Sequence, residues 1–416
     1  MTPEIKQRIE QIRRGEVPEG YVKKRKVVIP QQWGLPQIKD IASISSGSTP
    51  NRNNSEYWNG NIAWVTTGEL SSGHVNHTSE LITVKAVKET KMRIYPQGTL
   101  LMAMYGQGKT RGTVAILEID AAVNQACAAI TVKDGKSKFL FYQLKNSYQD
   151  IRKLSNTGNQ ENLNADIIKT YQVPWAPDEE QERISTILTT QDKVIKLKEK
   201  RLAEKQRQKK YLMQQLLTGK KRLPGFYGAW SFPKAKELFQ SVSDKDHNGD
   251  LAVLSSTQDR GIVPRVEVDI DIKYDACSLV NYKKVSKGNF VISLRSFQGG
   301  IEYSTYTGLV SPAYTVLSSR KEISDGYYKQ FFKSTDYINR LNVAVYGIRD
   351  GKQISYEDFG RLRIPYPPIK EQDAIAEVLS AADSEIDLLR QDIEQEKQKK
   401  KALMQLLLTG IVRITI

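Results

Sequence analysis

Residues 177–222 of this 416-residue chain align without gaps on residues 368–413, with 18 identities in 46 positions. Self-similarity at a fixed offset, here 191 residues, means that one structural plan occurs twice. The match includes the ending Leu-Leu-Thr-Gly, which closes at Gly219 and again at Gly410. Any fold assigned to this chain therefore has to contain the repeated segment twice.

Both copies of the repeat predict a long helix. Pro177 and Pro368 supply the starts, where proline is well tolerated, and acidic residues follow at the positive end of the helix dipole. Gly219 and Gly410 supply the stops. Neither copy contains glycine or proline between its start and its stop.

An apolar stripe runs along each predicted helix. Walking alternately four and three residues from Ile184 meets six apolar residues in ten positions, and the same walk from Ile375 meets eight in ten. This spacing is typical of a coiled-coil seam, here with a polar interruption towards its C-terminal half. Two unrelated surface helices, each packed on its own domain, are the alternative.

The order of the segments decides how the two helices run. The first helix leads from one globule to the next, so a second helix that pairs with it has to run back, antiparallel to it. Exchanging two antiparallel helices is a two-fold rotation that also exchanges the globules, so the monomer is expected to mimic a dimer. The predicted fold class is α+β, with two pseudo-two-fold-related mixed α/β domains separated by two long antiparallel coiled-coil helices.

The segments between the helices differ from them in kind. They are rich in Val, Ile, Tyr, Thr, Gly and Ser and contain short strand-like runs, which predict mixed α/β globules. The predicted boundaries are an N-terminal helical segment 1–30, a first globule 31–176, a central long helix 177–222, a second globule 223–367, and a C-terminal long helix 368–416 that pairs with the central one.

Composition limits the classes of function. The chain has 62 Lys and Arg against 47 Asp and Glu, a formal charge of +15, and basic chains of this kind commonly bind a polyanion. Solubility alone is the alternative. Cys127 and Cys277 lie far apart, and with three histidines in the chain we predict neither a metal site nor catalytic residues. No apolar run approaches membrane length, so a cytoplasmic protein is expected.

Three groups of motifs resemble one known family over essentially the whole chain. The first globule opens with Trp33-Gly-Leu, Ser46-Gly-Ser-Thr-Pro50 and Tyr57-Trp-Asn-Gly60. The end of the globule contains Asn162-Leu, and the helix end Leu-Leu-Thr-Gly occurs twice. In this order the motifs resemble the DNA-specificity subunit of type I restriction–modification systems. The second globule departs from the pattern because it lacks the Ser-Gly-Ser-Thr-Pro opening.

The resemblance implies a function without catalysis in this chain. Each globule would be a target-recognition domain that reads one half of a bipartite site in double-stranded DNA. The helices would dock two modification (methyltransferase) subunits and the restriction motor subunits. This chain would carry no cofactor, while S-adenosylmethionine, ATP and Mg would belong to the partner subunits. A free-standing, repressor-like DNA-binding protein is the alternative.

Loops in matching positions of the two halves carry the candidate DNA contacts. Glycine permits close backbone approach, and Gln and Arg make two-pronged contacts to adenine and guanine edges. Lys109 is expected on a phosphate. For any single residue the alternative is a surface polar side chain with no specific role. The candidates are Thr66, Thr67, Gln107, Lys109, Thr110, Arg111, Asn159 and Gln160 in the first half, and Gln258, Arg260, Arg295, Gln298, Arg349, Lys352 and Gln353 in the second.

Apolar surface near the ends of both helices is wider than a two-helix seam needs. Leu212, Leu216, Leu403 and Leu407 are therefore candidates for binding partner subunits. Packing on the globules is the alternative for the same four leucines.

Overall fold

The structure, a computed structural model, describes residues 2–106, 108–154, 162–268, 276–344 and 354–414. The chain divides into two compact units. The first consists of Met1–Leu197 together with Ile393–Ile416, and the second of Lys198–Asp392. The division crosses both long helices, so the first unit is assembled from two separate stretches of the sequence.

Among its described residues, the first unit contains three sheets and a helical layer. Its strands are β1 Tyr21–Lys24, β2 Val27–Pro30, β3 Ala42–Ser46, β4 Trp58–Val65, β5 His74–Val75, β6 Glu80–Ile82, β7 Leu100–Ala103, β8 Val114–Leu117, β9 Ala121–Val123 and β10 Cys127–Val132. Its helices are α1 Pro3–Arg13, α2 Ile38–Ile41, α3 Val84–Thr90, α4 Ser137–Asn146, α5 Tyr148–Lys153, α6 Ala165–Thr170 and the start of α7 Asp178–Leu216. The sheets have the orders β3-β10-β7-β8-β5, β6-β4-β9 and β1-β2.

The second unit repeats this plan in a shorter form. Its strands are β11 Phe239–Val242, β12 Leu254–Thr257, β13 Gly261–Pro264, β14 Lys283–Val285, β15 Phe290–Ile292, β16 Glu302–Tyr303, β17 Gly308–Val310 and β18 Thr315–Ser319. Its helices, after the end of α7, are α8 Ala235–Leu238, α9 Ser296–Gly299, α10 Asp325–Phe331, α11 Thr335–Ala344, α12 Tyr356–Arg361 and the start of α13 Ile369–Leu407. The sheets have the orders β11-β18-β15-β16, β12-β13 and β14-β17.

The main sheets of the two units share one topology. The strand order β3-β10-β7-β8 of the first unit corresponds to β11-β18-β15-β16 of the second. All of these neighbouring strands pair antiparallel. The helix caps agree, since Asn164 caps α6 and Ser355 caps α12 at the repeat offset of 191 residues. The duplication seen in the sequence therefore extends to the folds of the two globules.

The central strands are buried on both faces, which explains their continuous apolar runs. In β7, Leu100 and Met102 join the core beneath the helical layer with Leu140 of α4. Leu101 and Ala103 point to the opposite core. Successive side chains of a strand alternate between its faces, so two cores require an unbroken apolar run. The strand β15 divides its side chains between two cores in the same way.

The two long helices have equal lengths and equivalent ends. Both α7 and α13 contain 39 residues. Each stops three residues before a glycine of the repeat, and these glycines, Gly219 and Gly410, have φ values of +72° and +71°. Residues with side chains rarely adopt this left-handed conformation, so glycine is suited to end the helix there.

Within each unit, polar contacts join one long helix to the other. In the second unit, Lys198 reaches Asp392 at 2.7 Å and Lys209 reaches Asp383 at 2.5 Å. Rising numbers on α7 meet falling numbers on α13, so the helices are antiparallel there, as predicted. In the first unit, Asp192 of α7 forms an ion pair with Lys400 of α13. These ion pairs account for the polar interruption of the seam.

A buried carboxylate ties the start of each long helix to its globule. In the first unit, Glu180 accepts hydrogen bonds from the Trp33 indole at 2.9 Å and from Arg413 at 2.8 and 3.0 Å. In the second unit the corresponding acceptor is Glu371, which binds an indole and a guanidinium in the same manner. The glutamates and the arginines both occupy equivalent positions of the repeat.

Candidate nucleic-acid interface

The loops singled out in the two halves occupy one topological position. Residues 104–113 connect β7 to β8, and residues 293–301 connect β15 to β16, so each loop joins two adjacent antiparallel strands of a main sheet. Thr66 directly follows β4, and Gln258 directly follows β12. The matched placement that the sequence predicted is thus a property of the fold.

In the first unit, the loop after β7 presents some of its candidates and buries another. Lys109 is exposed and Thr110 is half-buried. Arg111, which was predicted as a base contact on an exposed loop, is only 8% exposed. Its guanidinium therefore lies inside the globule in this conformation, and presenting it to DNA requires the loop to rearrange.

The segment after β4 is organised by one carboxylate. Thr66 donates to Glu69 Oε2 through its backbone N–H at 2.6 Å and its hydroxyl at 2.8 Å, and the Ser79 N–H donates to Oε1 at 2.9 Å. Burial acts to raise the pKa of Glu69, but these hydrogen bonds outweigh it and the pKa lies below its ordinary value. Thr66 thus has a local capping role, and Thr67, half-buried, begins a short 3-10 helix.

In the second unit, the candidates of two neighbouring loops come together. Gln258, Arg295 and Gln298 are all exposed. The Gln258 side chain lies against Gly299, where an added Cβ would stand 2.8 Å from the Gln258 Cγ. Arg260 is also exposed but is paired with Glu267. The turn after β12 and the helix α9 therefore form one continuous polar surface.

A lysine that the sequence analysis missed lies behind that surface. Lys333 donates to the Gly299 carbonyl at 2.9 Å and to the Gln258 carbonyl at 3.2 Å. It also forms an ion pair with Glu302, a side chain in β16 that is 2% exposed. Burial raises the pKa of Glu302, and Lys333 opposes this shift without cancelling it. No local motif marks Lys333, because its partners are 31 to 75 residues away.

The remaining candidates fall on parts of the chain without a description. Gln107, Asn159, Gln160, Arg349, Lys352 and Gln353 lie outside the described residues. Their roles remain predictions from the sequence.

The four leucines considered for partner binding pack on the globules. Leu216 and Leu407 are 5% and 4% exposed and belong to the cores of the second and the first unit. Leu212 and Leu403 are half-buried against the same cores. The apolar surface of Leu216 and Leu407 is therefore covered by packing, whereas Leu212 and Leu403 keep part of theirs exposed, and partner binding stays a prediction.

A different pair of leucines on the long helices is exposed. Leu197 of α7 and Leu388 of α13 are 67% and 65% exposed. They are identical residues at equivalent positions of the repeat, 191 residues apart. Neither residue is on the coiled-coil seam, so the seam pattern did not predict them. Their identity in the repeat was a signal that could have found them.

The described part of the chain provides neither a membrane-crossing helix nor a cluster of metal ligands. No helix within it combines the length and the apolar character needed to cross a membrane. The same residues contain no group of three or more His, Cys, Asp or Glu side chains arranged to hold a metal ion.

A family model and several relatives match this chain over long stretches. The model, described as the type I restriction modification DNA specificity domain, matches residues 30–207 and again 228–398. A putative type I restriction enzyme MjaX specificity subunit of Methanocaldococcus jannaschii is 26% identical over 413 residues, which are 93% of this chain and 95% of the relative. The MjaIX specificity subunit of the same organism is 34% identical over 178 residues, 41% of this chain and 40% of that relative.

Two solved structures have the same fold. The crystal structure of the S subunit of a type I restriction–modification system from M. genitalium aligns with a TM-score of 0.55 and 13% identity, covering 93% of this chain and 98% of the other. A chain from a structural study of complex assembly and conformational transition in the type I system aligns with a TM-score of 0.59 and 15% identity, covering 92% and 99%. At these identities the likeness concerns the fold.

Proposed function

This chain belongs to the family of type I restriction–modification DNA specificity proteins, and on that premise we propose that it is the DNA-reading subunit of a cytoplasmic type I complex. Each globule reads one half of a bipartite site in double-stranded DNA. The chain itself performs no catalysis. Methylation and restriction, with their S-adenosylmethionine, ATP and Mg, belong to the modification and motor subunits that it assembles.

The observation that carries the proposal is the matched pair of loops. Each globule places one loop between two adjacent antiparallel strands of its main sheet, with exposed Lys109 on the first loop and exposed Arg295 and Gln298 on the second. In the second unit, Gln258, Arg295 and Gln298 present side chains of the types that make two-pronged contacts to base edges. In the first unit, Lys109 presents an exposed cation of the type that binds phosphate. Two copies of one reading element suit a site with two halves.

The charge of the chain supports binding to DNA in general. With 62 basic and 47 acidic residues, the chain has an excess of 15 positive charges. Lysines and arginines that neutralise phosphates release condensed counterions, which makes binding favourable and dependent on salt. This contribution is independent of sequence, so specificity has to come from the loops.

The exposed leucines of the long helices support docking of two modification subunits. Both copies of the repeat have leucine at this position, Leu197 and Leu388, although neither leucine is buried in its own unit. Other identical pairs of the repeat, such as Glu180 and Glu371, are explained by contacts within the chain, since each accepts a hydrogen bond from a tryptophan of its own unit. Equivalent exposed leucines suit two copies of one partner, each burying one leucine.

Mapping of methylated bases tests the function. Cells that contain this chain and its modification subunit should carry methylated DNA at a bipartite motif, with two specified halves and an unspecified spacer. Replacing Arg295 and Gln298 by alanine should relax one half only, at a cost of about 1–3 kcal/mol for each two-pronged contact. Arg361→Ala, which changes an exposed arginine of α12 in the same unit, is the matched control.

Each outcome of this mapping has a clear meaning. A contiguous motif, or loss of both halves in the loop variant, would contradict reading by separate globules. Specific DNA binding by a chain that purifies without a methyltransferase and leaves DNA unmodified would instead support a free-standing, repressor-like protein.

A further inference from the structure

In the first unit, two side chains of α5 hold the backbone of the candidate loop. Arg152 donates from Nη1 to the Arg111 carbonyl at 2.7 Å and from Nη2 to the Gly108 carbonyl at 2.9 Å. The Tyr148 hydroxyl donates to the carbonyl of Lys109 at 2.7 Å. Three carbonyls within four residues of the loop therefore accept hydrogen bonds from one short helix, which leaves the exposed Lys109 side chain outside this network.

In the second unit, Lys333 holds the corresponding loop. An ammonium group has three donors. Those of Lys333 are directed at three separate segments, namely the Gly299 carbonyl of α9, the Gln258 carbonyl of the turn after β12, and the Glu302 carboxylate of β16. Since Glu302 is anchored inside the globule, the lysine connects both candidate loops to the rigid sheet.

The two cations bind the loops in the same way, although Arg152 lies on α5 and Lys333 lies in the turn between α10 and α11. Each one donates to backbone carbonyls of its loop, which every residue type possesses. Such a support fixes where a loop lies without deciding which side chains it carries. Preorganised loops are needed for base reading, because a contact displaced by about 1 Å loses its geometry.

We propose that Arg152 and Lys333 are positioning residues for DNA reading, one in each globule, and that each maintains the specificity for its own half of the site. This inference rests on the proposed function of the two globules. It assigns a role to two residues that contribute no base contact of their own. Their loss is therefore expected to lower selectivity more than general affinity for DNA.

Binding experiments on the complex of this chain with its modification subunit test the proposal. The probes are four duplexes: the intact site, a duplex with the first half scrambled, one with the second half scrambled, and one with both scrambled. Arg152→Met and Lys333→Met keep an apolar stem and remove the donors. Lys153→Met and Lys329→Met change neighbouring exposed lysines and serve as matched controls.

Each variant should lose selectivity for one half only. We expect the ratio of affinities for intact and scrambled halves to fall about tenfold or more at one half for Arg152→Met and at the other half for Lys333→Met, because each loses two or three charge-assisted hydrogen bonds to its loop. Affinity for the fully scrambled duplex, and its dependence on salt, should stay within about twofold of the wild type. The control variants should match the wild type.

Other results would overturn the inference. Unchanged selectivity in a natively folded variant, or an equal loss at both halves, would show that these residues do not position separate reading loops. If Arg152→Met fails to fold, Tyr148→Phe removes only the hydroxyl that binds Lys109, and it should lower selectivity at the same half alone. A wild-type complex without selectivity for either half would instead refute the proposed function itself.

Discussion

Glu371 accepts a hydrogen bond from the indole N–H of Trp230 at 2.9 Å, inside the second unit. The same carboxylate receives Arg222 Nη2 at 2.6 Å, and it has no exposed surface. A fully buried carboxylate that binds two donors depends on both of them for the stability of its charge. The start of α13 is therefore attached to the globule by a single charged group.

Removal of this group should destabilise the second unit strongly. We expect Glu371→Ala to lower the free energy of unfolding by about 3–5 kcal/mol, because it leaves the guanidinium without its charged partner and the indole without its acceptor. Urea titration followed by tryptophan fluorescence measures the change. Glu357→Ala, at an exposed glutamate of α12, should change it by less than about 1 kcal/mol. Equal effects of the two substitutions would contradict the role given to Glu371.

The ion pair between Asp192 and Lys400 should behave as a coupled unit. Asp192→Lys places two ammonium groups together in the first unit, and Lys400→Asp places two carboxylates there. Both single variants should melt at lower temperature, while the double variant with exchanged charges should recover part of the loss. A coupling energy of about 0.5–3 kcal/mol is expected from thermal unfolding of the four proteins. Additive effects would show that the two side chains do not interact.

Docking of the modification subunits should depend on the exposed leucines. Leu388→Arg places a charge where a partner has to bury apolar surface, so one of two bound copies should be lost or weakened about tenfold or more. Leu197→Arg should remove the other copy, and the double variant should bind neither. Native mass spectrometry counts the copies, with Ala203→Arg, an exposed position of α7, as the control. Two copies retained by both single variants would exclude these leucines from the interface.

Cys127 should resist thiol reagents as long as the protein is folded. Burial raises the pKa of this thiol to about 12, with Glu69 as a smaller cause, and the side chain is enclosed in the core. In a Cys277→Ser background, which leaves one cysteine in the chain, labelling at pH 8 should be slow until denaturant is added. Rapid labelling of the native protein would mean that the central sheet opens readily.

Stability should depend on pH through Glu302. Its pKa is raised by burial, so the folded state binds this proton more tightly than the unfolded state does. The stability from this group is complete below the ordinary pKa of about 4.5 and is lost as pH rises through the raised value. The free energy of unfolding of the wild type minus that of Glu302→Gln should therefore fall from pH 4.5 towards 7, by at most about 1.4 kcal/mol per pH unit. A difference independent of pH would contradict the shift.

The repeated helices show how far sequence alone could go. Their starts were predicted to within one residue, because proline and acidic residues mark a helix start locally. The predicted helical segments extended to residues 222 and 416, with Gly219 and Gly410 as stop signals, while the helices end at Leu216 and Leu407. The repeat continues beyond the helices because Arg222 and Arg413 bind the buried glutamates Glu371 and Glu180.

The loops show where sequence reasoning ended. Their matched positions followed from strand patterns that recur in both halves, and the structure has them at equivalent places. The burial of Arg111 and the supports from Arg152 and Lys333 depend on residues 31 to 75 positions away in the chain. Local composition does not report such contacts. The recurring Trp-x-x-Pro at Trp33 and Trp230 was a readable signal for the attachment of both helices, and it was missed.

The tail after α13 has a consequence for synthesis on the ribosome. Tyr21 donates to the Gly410 carbonyl at 2.7 Å and Gln143 to the Leu408 carbonyl at 2.8 Å, so the first unit contains residues that are made after the whole second unit. The second unit has all its residues once position 392 has left the exit tunnel. Translation proceeds from the N-terminus, yet the unit that begins first is completed second. During synthesis, all residues of the second unit are thus available for folding while the first unit still lacks residues 393–416.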